Sequence, residues 1–399
     1  MSAEAFAPPP QSLSKARFAA LFVATFCGLV AVGCVLPVLP RYVRGPIGGG
    51  DFAVGVVIGC YAISGLLLRP VAGRLADRWG RRPTAFVGMV GIAAGGALIF
   101  PALGIGGLIL ARLVLGAGEG FLYTSTSAWI VDMAPVERRG RILGLFGLAV
   151  WGGLAVGPLL GELLLQASGY RAVWTLATVL PALGAAVIAL TTDPFRPQTH
   201  AEPHPLIAPE AVRPGVAVAL ASVGYATIAS FIVLLLESRG VDHGATVFAA
   251  FAAMIVLARL VAGHLPDLVG PARVAIGATL VEAVGLFAIA ISHSLLVALL
   301  GAMAMGAAFS LLNPSLMLIA VGRVSETARG AAMGTYTAFF DTGIGIGAPL
   351  AGLAAALTSY EGAFVLAGLV ALGSSAMVLV TLHRAGVTHR PEPSLPNAE

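Results

Sequence analysis

Of 399 residues, 58% are hydrophobic and only 11% charged, with a mean hydropathy of +0.93. A chain this apolar has too little polar surface to fold in water, and its formal net charge of +4 reads as membrane orientation rather than affinity for nucleic acid. The composition is that of a polytopic protein in contact with a lipid bilayer, and arginine's share of the basic residues, 22 of 23, fits a bacterial inner membrane.

Residues Met1 to Leu13 are rich in Pro and Ala and lack the apolar core of a signal peptide. Twelve apolar runs follow, at roughly 17–39, 52–72, 84–102, 106–133, 141–165, 173–191, 215–236, 244–264, 274–292, 295–322, 331–357 and 362–383. Each is long enough to cross a core of about 30 Å and must be helical there, because hydrocarbon offers no partner for open backbone groups. The expected fold is an all-α membrane protein of twelve transmembrane helices in two pseudo-symmetric six-helix bundles. The expected division is an N-terminal bundle over 1–191, a cytoplasmic linker over 192–214 and a C-terminal bundle with a short tail over 215–399. Cys27, Cys34 and Cys60 fall inside the first two runs, in neither a disulfide nor a metal spacing, and read as packing residues.

The two halves also share sequence. The charged stretch Arg69 to Pro83, which begins in the last turn of the second run, recurs as Arg259 to Arg273, so that Arg69, Gly73, Asp77 and Gly80 each find their own type 190 positions later (259 − 69 = 190). Arg139, Gly140, Gly144 and Tyr170 repeat at the same offset. If both termini are cytoplasmic, 18 basic residues lie inside and four, Arg41, Arg44, Arg171 and Arg239, lie outside, with Arg112 left in a helix. That asymmetry sets the orientation.

The run Gly73-Arg-Leu-Ala-Asp77-Arg-Trp-Gly80-Arg-Arg-Pro83 resembles the loop signature of the major facilitator superfamily, and Gly263 to Arg273 resembles its degenerate second copy. Arg112-Leu-Val-Leu-Gly116 is similar to that family's Arg-x-x-x-Gly signature. Gly147, Gly152, Gly153, Gly157-Pro158 and Gly161 in the fifth run are similar to the signature of its proton-coupled exporters. The resemblance implies a drug/proton antiporter-like exporter of the multidrug-resistance kind. It further implies that helices one, four, seven and ten line a central cavity.

The motifs also have physical readings. Gly73 and Gly80 are expected to let the chain turn tightly between helices. Asp77 is expected to face the positive end of a neighbouring helix, and Asp132 to pair with Arg78. Together with Arg81, Gly263 and Asp267 these form a conformational latch between the halves, against the plainer reading of a positive-inside anchor. Gly153, Gly157, Pro158 and Gly161 are expected to make a hinge where the halves meet, Pro158 removing a backbone hydrogen bond, although the glycine spacing also suits simple close packing. A blurred counterpart lies at Gly343, Gly345, Gly347 and Pro349.

Ionisable groups within the runs are the candidates for chemistry, since each costs at least about 2.5 kcal/mol to hold at the bilayer centre. Arg112 and Glu119 lie in the fourth run, Glu162 in the fifth, Glu282 in the ninth and Asp341 in the eleventh. Offsets of 190 place Ala302, Phe309, Gly352, Ile92 and Trp151 opposite them, so none is repeated. Glu119 lies near the midplane, with Arg112 seven residues before it on the same face, which makes Glu119, Arg112 and Asp341 the proton-coupling set. The alternative for Glu119 is a structural ion pair with Arg112. Glu162 reads as a solvated outer residue and Glu282 as a packing or lipid-side anomaly. Phe26, Tyr123, Trp151, Phe309, Asn313 and Tyr336 are the candidates for a substrate cavity.

No phosphate-cradling loop and no histidine spacing for a metal is present in the sequence, so no cofactor, no metal and no enzymatic activity is expected. The expected function is proton-coupled export of a small amphipathic or drug-like molecule by alternating access, from a monomer whose partners are that molecule, protons and lipid. Uptake by proton symport, or a receptor on the same scaffold, are the alternatives.

Overall fold

The computed structural model describes residues 14–135, 138–192, 207–322, 324 and 329–388, so the N-terminal segment, most of the expected linker and the end of the tail lie outside the described residues. Ser14 caps the first helix, its hydroxyl accepting from the amide of Arg17. That helix, α1 (Lys15–Val35), continues after a two-residue break as the short α2 (Val38–Arg44). The first half is completed by α3 (Asp51–Trp79), α4 (Arg81–Ala97), α5 (Gly104–Met133), α6 (Arg139–Ser168) and α7 (Tyr170–Leu190). The second half runs α8 (Pro209–Ser238), α9 (Gly244–Ala262), the short α10 (Leu265–Val269), α11 (Pro271–Ile291), α12 (Leu295–Val321), α13 (Arg329–Leu357) and α14 (Tyr360–Thr388).

Among the described residues, eleven helical segments are long and apolar enough to cross a bilayer. The remaining expected span is α4, which at 17 residues covers about 26 Å and opens on two arginines. Helix α8 begins at Pro209, six residues before the run expected from 215.

The repeat is visible in the packing. In the first half α1 packs on α6 and α7, α5 on α3 and α4, and α4 on α7; in the second, α8 packs on α13 and α14, α12 on α9 and α11, and α11 on α14. Every pair has its counterpart 190 positions on. The halves meet chiefly through two equally related pairs, α3 with α13 and α6 with α9.

Small residues permit these approaches. A Cβ on Gly153 would sit 2.8 Å from Leu29 Cβ, and one on Gly157 would sit 2.7 Å from Gly33 Cα, both on α1. Gly343 and Gly347, 190 positions on, abut Ala219 and Val223 of α8 in the same way. The glycines expected at a hinge between the halves therefore face α1 within their own half. Gly161 joins them against Cys34, while buried Pro158 lies inside a continuous α6.

The two ends of the molecule differ. At the end remote from the termini, here the distal face, α3 and α13 are in backbone contact: Cβ atoms on Gly55, Gly59 and Gly352 would collide with Ala348, with Gly345 and with Asp51. Near the terminal face, Gly73, Gly144, Gly147 and Gly334 have nothing within 4 Å of where a Cβ would stand. The helices are pressed together distally and splayed toward the termini.

The charged stretch after the second run is mostly helix, not loop. Helix α3 continues to Trp79, so Arg69, Gly73, Arg74, Asp77 and Arg78 lie on it, and Gly73 does not form a turn. Gly80 does, at φ +106°, as does its repeat mate Gly270 at φ +97°, a region that only glycine enters without strain. Gly263, by contrast, has helical backbone at φ −60°.

Candidate functional site

At the inner edge of the α3–α13 contact, charged groups from both halves meet. Arg69 on α3 places Nη2 3.5 Å from Glu119 Oε2 on α5 and Nε 3.2 Å from Asp341 Oδ2 on α13. The second contact lacks hydrogen-bond geometry, so the triad is held loosely. Arg69 also lies over the ring of Tyr123, 5.7 Å from its centroid. The side chains of Arg69, Glu119 and Asp341 keep 22%, 11% and 5% of their exposure.

The sequence of α5 builds one side of this group. Gly116, Glu119, Gly120 and Tyr123 recur at helical spacing on one face, and the glycines let α3 come close: a Cβ on Gly116 would collide with the Tyr61 carbonyl, and one on Gly120 would stand 3.5 Å from Arg69 Cγ. Arg112 and Glu119 are not a pair. Side chains on a helix lean toward its N-terminus, so Arg112 leans away from a residue two turns after it. Its Nε donates to the Val57 carbonyl at 3.2 Å and its Nη2 to that of Ile58 at 3.4 Å, it lies over the ring of Tyr61 at 4.6 Å, and its Nη1 has no partner. The expected counter-ion of Glu119 is replaced by Arg69, which the sequence pattern counts among the cytoplasmic basic residues.

The latch residues are likewise re-paired. Arg81, not Arg78, joins Asp77 (2.6 Å) and Asp132 (2.9 Å). The turn at Gly80 brings Arg81 back over Asp77, whereas Arg78, the next residue along the helix, is rotated by about 100° and is exposed. Asp77 therefore meets a guanidinium rather than a helix end. Asp267 on α10 is exposed and has no ion pair among the described residues.

The distal face carries ion pairs that sequence reading missed. Arg41 of α2 reaches both Glu162 of α6 and Glu237 of α8, tying the two halves. Glu162 is thus a partner in a clamp rather than a solvated residue. Asp51 of α3 takes Arg44 at 3.4 Å and accepts from the hydroxyl of Tyr360 at the start of α14 at 3.1 Å. Opposite charges at the outer ends of different runs were the available signal.

Between the faces lies an aromatic cluster. Trp151 of α6 stands edge-on to Tyr225 of α8 and Phe309 of α12, at 6.4 and 5.9 Å, and Phe309 continues to Phe340 of α13 at 6.0 Å. Among the expected cavity residues, Tyr123 is exposed, and Phe26, Trp151 and Asn313 are half-buried. Phe309 and Tyr336 are instead packed in the core, each 1% exposed, and the Tyr336 hydroxyl donates to the backbone and side-chain oxygens of Asn313 at 2.9 and 3.1 Å. Arg259 of α9 is open, its Nε donating to Ser310 Oγ at 3.4 Å. Glu282 faces the interior of the second half rather than lipid: it is fully buried, and its Oε1 would lie 2.6 Å from a Cβ on Gly224 of α8.

The family described as Major Facilitator Superfamily matches residues 21–244 and 215–398. An uncharacterized MFS-type transporter of Pseudomonas aeruginosa is 33% identical over 391 residues, covering 94% of this chain and 96% of its own. Among solved structures, a POT family transporter in complex with a thioalcohol-conjugated peptide superposes with a TM-score of 0.78 at 13% identity, covering 92% of this chain and 96% of its own. A bacterial homologue of the human lysosomal transporter Spinster, in an inward-facing and unoccupied conformation, superposes at 0.71 and 14% identity, covering 96% and 100%.

Proposed function

The chain belongs to the major facilitator superfamily, and from that premise we propose that it is a proton-coupled secondary transporter that exports a small amphipathic molecule. As a member it is a multi-pass transporter of small molecules, not an enzyme. The observation that carries the finer reading is the Arg69–Glu119–Asp341 triad. One cation joins carboxylates on opposite halves at the boundary between a sealed distal end and a splayed terminal end.

The chemistry follows from charge. With both carboxylates ionised, Arg69 holds α5 and α13 together. A proton on either one removes half of that attraction and frees the arginine to move with the remaining partner, so that proton uptake and relative motion of the halves become one event. Both carboxylates are within reach of the splayed end, while the distal seal blocks the other side. With 18 basic residues against four favouring cytoplasmic termini, that splayed end faces the cytoplasm. A substrate entering from the cytoplasm and protons entering from outside is the exchange that such a site supports. In this cycle the Asp77–Arg81–Asp132 cluster forms one half of a latch that engages the second half when the cytoplasmic end closes.

Everted vesicles test the reading. Substrate accumulation is expected under an inside-acid gradient and is expected to collapse with a protonophore. Accumulation only under the reverse gradient means uptake by symport, and none under either removes proton coupling.

A further inference from the structure

Arg69 and Arg259 are repeat mates (69 + 190 = 259) and stand at matching depth, each ten residues before the end of its charged helical stretch, at Trp79 and Val269. Their surroundings are not alike. Around Arg69 the chain supplies two carboxylates. The repeat positions of those carboxylates hold aromatic rings: 119 + 190 gives Phe309, and 341 − 190 gives Trp151. The two rings touch each other at 5.9 Å.

Among the described residues, Arg259 consequently has a hydroxyl, Ser310, but no carboxylate. Tyr123 of the first half and Tyr336 of the second both lie within electrostatic range of its guanidinium. It is exposed where the helices splay, beside Ser310, the residue after Phe309. Open at the splayed end and without a carboxylate partner among the described residues, the guanidinium is available to an anion that enters there.

We propose that Arg259 is the anion-binding residue of the transport site, and that the molecule carried is an organic anion whose carboxylate or sulfonate takes the place that Glu119 and Asp341 fill around Arg69. Its apolar or aromatic body lies toward the half-buried rings of Trp151 and Tyr225. The two cavity carboxylates do not favour a cation instead, because they are nearly buried and share Arg69, whereas Arg259 is the open charge. This rests on the transporter reading for the location of the site, but not on the direction of transport or on proton coupling.

The test is equilibrium dialysis of radiolabelled naphthoate, and of its cationic counterpart naphthylmethylammonium, against the purified full-length protein in lipid nanodiscs. Naphthoate is expected to bind at micromolar to millimolar concentration and to weaken as salt rises, while the cation binds at least about tenfold more weakly, the difference that one charge-assisted contact makes. Arg259→Gln should weaken naphthoate about tenfold or more, and Arg259→Lys, which keeps the charge but not the fork, by less. Equal binding of the two probes, preference for the cation, no binding of either, or unchanged naphthoate affinity in a folded Arg259→Gln variant each overturns the proposal. Should Arg259→Gln not fold, the comparison of the two probes on the unaltered protein decides. Binding needs no gradient, so its failure leaves the exporter reading standing. Retained naphthoate binding without gradient-driven flux removes the exporter reading alone.

Discussion

The surroundings of Arg69 and Arg259 divide what the two halves share from what they do not. Residues that set the scaffold repeat and behave alike: Gly80 and Gly270 both turn the chain at positive φ, and Gly153 and Gly343 both press on the first helix of their half. The carboxylates that carry charge into the interior do not repeat: Glu119 faces Phe309 across the symmetry, and Asp341 faces Trp151. Helix packing tolerates few solutions, so both halves keep theirs. A buried carboxylate, by contrast, is a cost, and at these positions the other half does without it.

The strongest test of that asymmetry is Glu119→Gln. Glutamine keeps the shape and a carbonyl for Arg69 but cannot bind and release a proton. The variant is expected to retain substrate binding and gradient-independent exchange while losing gradient-driven accumulation altogether, measured as counterflow against uphill flux in vesicles. Uphill transport at the normal rate would move the proton site to Asp341. Failure to insert would make Glu119 a structural partner of Arg69.

The second contrast is between the two ends of α3. A side chain at Gly59 must displace the Gly345 carbonyl, 2.6 Å from its Cβ, and Pro349 Cδ at 2.8 Å. Overpacking of this kind costs about 1–3 kcal/mol, enough to shift a two-state population about 5- to 150-fold away from the distally sealed form. Gly59→Leu should therefore open Ile63→Cys, in a background without other cysteines, to impermeant maleimide from outside cells. Gly73→Val, where nothing stands within 4 Å, should leave that labelling low and instead hinder closure of the terminal end. Equal labelling in both variants would sink the two-ended picture.

The sequence made the fold legible because hydrophobic length and a 190-residue offset are strong, redundant signals. It made the partners much less so. The seven-residue spacing of Arg112 and Glu119 is correct for a shared helix face, but spacing does not encode the lean of side chains, and α3, far away in sequence, offered both a better counter-ion and the carbonyls of Val57 and Ile58. Arg69 escaped notice because a charged cluster beside an apolar run reads as loop, whereas here the helix simply continues through it to Trp79. The outer clamp of Arg41, Glu162 and Glu237 joins three runs, and no one-dimensional pattern links them.

The smallest expected effects lie in the latch, where the two copies differ again. Asp77 is joined to Arg81, and Arg81 to Asp132, but Asp77 and Asp132 are nearly half-exposed, at 46% and 45%, so solvent screens them. Asp77→Asn keeps the hydrogen-bonding shape and loses one charge. By the scale of exposed pairs it should cost stability no more than about 1 kcal/mol. Its main effect should be on rate, because the proposed latch engages the second half only when the terminal end closes: a several-fold slower transport at equal expression, with thermal stability little changed. Asp267→Asn should change the rate by less than about twofold, since Asp267 is exposed on the short α10 and has no ion pair to lose among the described residues, so that only weak, screened interactions are at stake. Normal transport by Asp77→Asn would remove the latch. An Asp267→Asn variant as slow as Asp77→Asn would show instead that both copies close on one another, and that the second copy's charge is engaged only in the conformation with its terminal end shut.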